Sequence, residues 1–533
     1  MIKTLRLNNL NRDFIKKKIF LVIIIISLSI NILNLKNYGY AWDDGLMRLT
    51  GFVNLKHIVK IFIPEIEKKY ERLKKVSNLN DWRDRYYGPS FELFAAGIET
   101  LTGNISNDKS KDNYKNIYYL RCLLLLTILH FSYIFFYKIN FYLTKDIFLS
   151  NSILLLLLSY PRFFAEQHYN SKDLYLCGLV IMTSYFGFKL INKNKIKYVI
   201  FFTFFSALAI STRLSTSLIP IMIMFSHFIY RKNFTLKNLY FYSFNLILFF
   251  IFFYISFPFL WENPIMNFLE VFNKLSNHSW SGNVLYFGQV YKNFDAPWHY
   301  LLVWFIITTP IIYLIFFLFG SAYVLKILLD LKNSRDYLLN KFILLNFSIF
   351  TLTLLTVIIF QNNTYNGWRH SYFIFIFFLI FISCYVSSIS EIFKLYLMRI
   401  LMCILILTNI NWIYKNHPYE YVFFNSLVKK PYLKFDLDWW GLSNYDQIKY
   451  ILNNDNRKNI KVTAVSGTSL EATRKSLLNK EEMSRIEVIK KESDADYLIN
   501  NYIGNLNDYS NKYKLIKQIF VSDKKISSLY KLN

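Results

Sequence analysis

The chain has 533 residues, 54% of them hydrophobic and 19% aromatic, and a formal net charge of +27 from 62 Lys and Arg against 35 Asp and Glu. Long apolar stretches at this composition exclude one large soluble domain and indicate an integral membrane protein. Much of the positive charge lies in short segments between apolar stretches, where it suits anionic lipid headgroups. We therefore expect membrane lipid, and no nucleic acid, as a partner.

Apolar stretches recur along the chain, and we predict eleven of them to span the membrane as helices. Several are shorter than the roughly 20 residues that a perpendicular span needs, so flanking residues are expected to extend them. In chain order they are residues 19–35, 122–137, 147–160, 174–188, 198–210, 214–230, 239–260, 300–325, 342–360, 371–388 and 400–413.

Lys and Arg are unevenly divided between the two sides that these spans define. The segments on the side of the N-terminus carry 21 of them, whereas the short breaks on the other side carry 6. Cytoplasmic connections of membrane proteins show such an excess. The sequence therefore predicts a multi-pass protein of the plasma (inner) membrane, with its N-terminus inside and its C-terminus outside.

Two longer segments lie outside the apolar stretches. In the first, residues 36–118, the pattern from Phe91 to Ile98 predicts an amphipathic helix in the membrane interface, with a membrane hairpin as the alternative. The second, residues 414–533, is predicted to be a small extracytoplasmic α/β domain, with a helix at 444–453 and strands at 461–465, 485–490 and 497–502. Residues 1–413 would then form the multispanning domain.

Adjacent carboxylates follow the first apolar stretch. Asp43 and Asp44 could act as a general base and a ligand, because neighbouring carboxylates raise each other's pKa and can share a cation. The alternative is that they cap a helix beginning near Gly45. A divalent cation such as Mg²⁺ or Mn²⁺ is compatible with the pair, although the sequence specifies no metal site.

Isolated cations occupy the later breaks on the same side. Arg213 lies between two apolar stretches without an acidic neighbour in the sequence, so a partner or a function is expected. Snorkelling to the lipid headgroups is the alternative for Arg213. Arg369 begins another apolar stretch, where an interfacial anchor explains it equally well, and Lys172 lies in the polar loop at 160–173.

The polar motifs together resemble those of the multispanning GT-C glycosyltransferases, specifically bacterial members of glycosyltransferase family 39, relatives of the protein mannosyltransferases and of the aminoarabinose transferase of lipid A. The protein mannosyltransferases usually carry Asp-Glu at the position of Asp43-Asp44, and residues 414–533 lack the pattern of their β-trefoil insertion. The matching motifs, in order, are Asp43-Asp44, Tyr87-Gly88-Pro89, Pro161-Arg162-Phe163-Phe164 with Asn170-Ser171-Lys172-Asp173, Thr212-Arg213, Pro297-Trp298-His299-Tyr300 with Thr308-Thr309-Pro310, Asn366-Gly367-Trp368-Arg369-His370, His417-Pro418-Tyr419-Glu420-Tyr421 with Phe424-Asn425, and Asp438-Trp439-Trp440-Gly441-Leu442-Ser443.

This resemblance implies a GT-C-like fold and the transfer of a sugar from a polyprenyl-phosphate-linked donor to a cell-envelope acceptor, which would be a lipid, glycan or protein. The active site would lie on the extracytoplasmic side, and the anomeric carbon would be inverted. Asp43 or Asp44 would assist the attacking acceptor, while Lys172, Arg213 and Arg369 would bind the donor phosphate. The remaining candidates for substrate contacts are Glu166, His168, Asn170, Asp173 and His370.

Two other classes of protein share part of this pattern. An O-antigen polymerase or ligase also works from outer loops on lipid-linked sugars, but its donor is a diphosphate-linked oligosaccharide. A non-enzymatic lipid or polysaccharide transporter would carry charges deep inside several helices and would have helices broken near the middle of the bilayer. The charges of this chain are instead gathered at the ends of its apolar stretches.

Overall fold

The computed structural model describes residues 2–69, 71–103, 113–230, 235–276, 282–292, 295–329, 337–359, 366–465 and 469–532. Within these ranges the chain is mainly helical. The α-helices are α1 (Ile2–Asn34), α2 (Asp44–Phe62), α3 (Pro64–Lys69), α4 (Glu71–Lys74), α5 (Ser90–Leu101), α6 (Tyr114–Thr144), α7 (Ile147–Leu158), α8 (Pro161–Glu166), α9 (Ser171–Asn192), α10 (Ile196–Thr212), α11 (Leu218–Tyr230), α12 (Leu236–Ser256), α13 (Pro264–Ser276), α14 (Tyr300–Thr308), α15 (Ile311–Leu329), α16 (Tyr337–Ile359), α17 (Ile374–Ser387), α18 (Ile392–Asn416), α19 (Asn444–Asn454), α20 (Leu470–Leu477) and α21 (Lys480–Arg485).

Apolar helices coincide with every predicted apolar stretch. Seven helices in the described part of the chain are long and apolar enough to cross a membrane, namely α1, α6, α9, α12, α15, α16 and α18. Shorter apolar helices are α7, α10, α11 and α17. The number of these helices that span, and the orientation of the chain, stay predictions.

Many apolar side chains point away from the protein. On α12, Leu246, Ile247 and Phe250 are each 57% exposed. So much apolar surface is unfavourable in water and is expected where helices contact lipid. The opposite pattern marks α17, whose side chains from Phe375 to Ile382 are all buried, which places this helix inside the helical bundle.

The predicted span at 300–325 is wrong as a single helix. It consists of α14 and α15, and Thr309 between them has an extended backbone. Pro310 explains the break, because proline lacks an N–H and disfavours helical backbone in the residue before it. The carbonyl of Thr309, left free by the break, accepts a hydrogen bond of 2.7 Å from the Asn425 side chain.

The C-terminal part contains a five-stranded sheet. In the order β4-β3-β5-β7-β6, β3 (Ile460–Ala464) pairs in parallel with β4 (Ile486–Val488) and β5 (Tyr497–Asn500), whereas β6 (Lys514–Val521) and β7 (Lys524–Lys531) form an antiparallel hairpin. A separate hairpin joins β1 (Asn283–Tyr286) to β2 (Gln289–Lys292). The predicted helix and the three predicted strands are confirmed, with shorter strands at β4 and β5. The last hairpin, α20 and α21 were not predicted.

The first long segment contains α2 to α5. The predicted helix from Phe91 to Ile98 is confirmed within α5, although its place in the membrane interface stays a prediction. Its acidic residues Glu92 and Glu99 are buried, so the polar face of α5 is turned towards the protein. The boundary between residues 413 and 414 also stays a prediction.

Cysteine labelling tests the predicted orientation. Asn283, Ser493 and Asn194 are exposed, whereas the native Cys122, Cys177 and Cys384 are buried. In a Cys403→Ser background, Asn283→Cys and Ser493→Cys should react with an impermeant thiol reagent added to intact cells, and Asn194→Cys should react only after lysis. Reaction at position 194 in intact cells, with none at 493, would reverse the orientation.

Candidate active site

Residues from distant parts of the chain surround a cavity of about 420 Å³. Eight of the ten predicted site residues line it: Asp43, Asp44, Asn170, Lys172, Asp173, Arg213, Arg369 and His370. They lie after α1, at the start of α9, after α10 and before α17, and therefore at helix ends that meet on one side of the bundle.

Asp43 is held by a cation and not by a helix end. It occupies the cap position of α2, but its side chain makes no capping hydrogen bond. Arg369 Nη1 instead donates to Asp43 Oδ2 over 2.8 Å, and the guanidinium of Arg369 lies 4.3 Å from the centre of a Trp440 ring. The capping alternative is therefore wrong for the side chain of Asp43.

Asp44 is the first residue of α2 and is 6% exposed. Burial raises its pKa, while the Arg121 guanidinium, 3.9 Å away, opposes this shift and Glu99 adds to it. Arg121 donates to Glu99 over 2.9 Å, and Arg48 donates to the other oxygen of Glu99 over 2.8 Å. Asp44 is thus a more basic carboxylate than an ordinary Asp, placed beside a buried network of paired charges.

The start of α9 brings several polar groups to the cavity. Asn170 caps the helix through a hydrogen bond of 3.3 Å from the Asp173 N–H. Asp173 in turn accepts a hydrogen bond of 3.0 Å from Arg213 Nε, so the partner expected for Arg213 is present. The N-terminus of a helix favours anions, so the start of α9 and the nearby cations Lys172 and Arg213 make this part of the cavity electropositive.

The Tyr87-Gly88-Pro89 motif packs against Lys172 through its tyrosine ring. The Lys172 ammonium lies 3.3 Å from the centre of the Tyr87 ring, a cation–π contact. Gly88 makes this approach possible, because its N–H donates to Ser211 O over 2.8 Å and a Cβ at this position would lie 2.6 Å from the Cβ of Ser211. The glycine therefore fixes Tyr87 beside the end of α10.

Glu166 and His168 lie behind the cavity wall and do not line it. Glu166 is fully buried and accepts hydrogen bonds from Tyr372 and Asn170 over 2.6 and 2.8 Å. Burial raises the pKa of Glu166 to about 7. His168 stacks on Tyr38, with 4.2 Å between the ring centres. Both residues belong to the segment from α8 to the start of α9, and their role as substrate contacts stays a prediction.

The charged network beside Asp44 is not among the sequence-based predictions. Glu92 and Glu99 are seven residues apart and so share one face of α5, which is a signal that the sequence contains. Arg121 comes one residue before a predicted span, where an arginine is usually expected to reach the headgroups. No local pattern indicates that Arg121 and Glu99 meet in the interior.

A second cavity, of about 620 Å³, lies between α2, α6 and α20. Trp42 and Asp44 line both cavities. The second one has an aromatic and charged lining that includes Tyr40, Arg48, Tyr114, Tyr118, Glu471 and Lys475. Asp44 therefore lies between the two cavities.

The described residues do not fit a metal site built by the protein alone. They contain no group of three or more His, Cys, Asp and Glu side chains that could hold a metal ion. Asp43 is engaged by Arg369, and Asp44 faces Arg121.

Comparisons with known proteins give a likeness in structure only. No protein-family model matches the sequence, and no curated protein matches it. Two solved structures of ArnT from Cupriavidus metallidurans are similar to this chain at 9% sequence identity. The one bound to undecaprenyl phosphate aligns over 97% of this chain and 98% of that chain with a TM-score of 0.47. The one in the apo state aligns over 97% of both with a TM-score of 0.45.

The buried network gives a prediction about stability. Glu99→Gln removes the charge that pairs with Arg121 and Arg48, and loss of one partner from a buried ion pair costs about 3 kcal/mol or more. The melting temperature of the purified protein in detergent should fall clearly. Glu391→Gln is the control, because Glu391 and Lys394 form an exposed pair whose loss should change little. Equal melting temperatures for both variants would contradict this account of the network.

Proposed function

We propose that this chain is a membrane glycosyltransferase that moves a sugar from a polyprenyl-phosphate-linked donor to a cell-envelope acceptor, on the outer face of the membrane. The observation that supports it best is the first cavity, where Asp43 and Asp44 face Lys172, Arg213 and Arg369 at the ends of apolar helices. Such a place suits a substrate with a charged phosphate and a lipid chain.

The donor phosphate would lie between the start of α9 and the three cations. Arg213 and Arg369 are already paired with Asp173 and Asp43, so a phosphate would compete with these carboxylates for the guanidinium groups. Arginine suits this exchange because its planar fork can bind phosphate through two parallel hydrogen bonds. Lys172 would add a point charge. The polyprenyl chain would leave the cavity along the apolar helices.

Asp44 is the better candidate for the general base. Its pKa is raised by burial, and it lines the second cavity as well as the first. An acceptor hydroxyl in the second cavity would give its proton to Asp44 while its oxygen forms a bond to the anomeric carbon. The bond from that carbon to the phosphate oxygen would break, and the cations would stabilise the charge on the departing polyprenyl phosphate. This single displacement inverts the anomeric carbon.

The cations are not placed as expected for a transporter, which would carry charges deep inside its helices. Lys172 is the second residue of α9, Arg213 follows α10 and Arg369 precedes α17, so each lies at a helix end and not at mid-helix.

The nature of the donor separates a transferase from a polymerase or ligase. Mass spectrometry should compare envelope lipids and glycans from cells with and without the protein. Cells without the protein should lose a single sugar from the envelope product and accumulate the monophosphate-linked donor of that sugar. Accumulation of a diphosphate-linked oligosaccharide would instead identify a polymerase or ligase.

Isosteric changes test the base. Asp44→Asn keeps the size of the side chain but removes its charge, so transfer should fall by at least about 100-fold if Asp44 is the general base. Asp43→Asn should have a smaller effect, since Asp43 acts through Arg369. The measurement is the amount of modified envelope product in deletion cells that express each variant at equal levels. Transfer by the Asp44 variant at the parent rate would remove this residue from the mechanism.

Binding of undecaprenyl phosphate tests the phosphate site separately from catalysis. Undecaprenol, which lacks the phosphate, is the control ligand. The purified protein should bind the phosphate form at least about 10-fold more tightly, because hydrogen bonds between charged groups contribute about 1.5–3 kcal/mol each. Arg213→Gln and Lys172→Gln should each reduce this preference, and the double variant should lose less than the sum of the two effects because both bind one group.

Lys197→Gln is the matched control for these variants, since Lys197 is exposed near the opposite end of α10. It should keep the full preference for the phosphate. If the two ligands bind equally well to the unchanged protein, the cations do not form a phosphate site.

A further inference from the structure

A smaller cavity, of about 270 Å³, lies away from the candidate active site. One wall is the second half of α2, with Lys56, His57 and Lys60, and the others include Asp81 and Glu262. Trp261, which precedes Glu262 in the chain, packs against α2: its ring lies 6.1 Å from that of His57 and 6.0 Å from that of Phe62. The cavity is therefore a polar basin between the end of α2 and the start of α13.

Exposed apolar side chains flank this basin on both sides. Directly after Lys60, residues Ile61, Phe62 and Ile63 are 49%, 67% and 51% exposed. Beyond Glu262, α13 exposes a run of large apolar residues, namely Ile265, Met266, Phe268, Leu269 and Phe272. A polar basin with apolar surface on two sides has the form of a site for a lipid headgroup and its chains.

The helix α13 is amphipathic, but its more apolar face points away from the protein, the reverse of a surface helix on a soluble protein. Two of its polar residues contact the protein, since Asn267 donates to Phe259 O over 2.6 Å and Glu270 accepts from Arg85 and Tyr86 over 3.1 and 2.9 Å. The five large apolar residues named above face outward, whereas Val271 is buried against the protein. Because α13 follows the apolar helix α12 by a short turn, the outward face belongs at the membrane surface and not in water.

The basin carries both signs of charge. Lys56 is 6% exposed, and its ammonium donates one hydrogen bond, of 2.7 Å, to Val76 O. The buried Nε2 of His57 has no hydrogen-bond partner among the described residues. The same cavity is lined by the carboxylates of Asp81 and Glu262, which accept hydrogen bonds from Asn78 and Asn80 over 3.3 and 3.0 Å. Lysines can bind a phosphate, and carboxylates can bind a primary ammonium.

We propose that this cavity binds the headgroup of an ethanolamine phospholipid, with the phosphate near Lys56 and Lys60 and the ammonium near Asp81 and Glu262. The acyl chains would cover the exposed apolar residues of α2 and α13. A headgroup with negative charge alone would bring no cation to Asp81 and Glu262. A choline headgroup has no N–H to donate to them. The site does not depend on the proposed transferase activity.

Native mass spectrometry tests this site on the full-length protein. The protein is equilibrated with mixed micelles that contain equal amounts of phosphatidylethanolamine, phosphatidylglycerol and phosphatidylcholine, and the retained lipids are counted. The unchanged protein should retain one phosphatidylethanolamine molecule in preference to the other two lipids. Preferential retention of phosphatidylglycerol, or no preference, would overturn the proposal.

Substitutions of two exposed residues of the basin test which side chain binds the phosphate and which binds the ammonium. Lys60→Gln should weaken retention of all three lipids, and Glu262→Gln should reduce the preference for phosphatidylethanolamine over phosphatidylcholine by about tenfold, as expected for loss of one charge-assisted hydrogen bond. Lys274→Gln, an exposed position on α13 outside the basin, is the control and should change neither value. Melting temperatures equal to that of the unchanged protein show that each variant is folded. An unchanged preference in folded Glu262→Gln would overturn the proposal.

Discussion

The pairing of buried charges is the constraint on which the rest of this structure depends. Arg121 and Glu99 are almost completely buried, and each would cost several kcal/mol without the other. Their contact joins α5 to α6, and Arg48 connects the same carboxylate to α2. The relative positions of these three helices are therefore restricted by one network of charges, which also surrounds Asp44.

The pairs at the candidate active site differ from this network in their exposure. The side chains of Arg213 and Arg369 are 14% and 10% exposed, and that of Asp43 is 33% exposed. Water reaches these pairs, so exchanging a carboxylate for a phosphate costs less there than it would at Arg121. One set of ion pairs can thus maintain the fold while the other is available to a substrate.

Prediction from the sequence succeeded where a local pattern decides the outcome. Hydropathy located the apolar helices, and the breaks between them contained the residues that line the cavity. Contacts between distant residues could not be predicted, because Arg369 and Asp43 are 326 positions apart and nothing in either segment identifies its partner. Glu166 is a predicted substrate contact, but its hydrogen bonds from Tyr372 and Asn170 place it behind the cavity wall, and no local pattern indicates this position.

The segment between α18 and α19 links the small sheet to the cavity. Asp438 accepts hydrogen bonds from the N–H groups of Leu442 and Ser443 and from the Asn501 side chain, which lies just after β5. Two residues further on, Trp440 packs on Arg369 and accepts a backbone hydrogen bond of 3.2 Å from Trp42, next to Asp43. A shift of the sheet would therefore move the groups that hold Arg369 and Asp43. The C-terminal part fixes one rim of the first cavity and, through α20, forms a wall of the second.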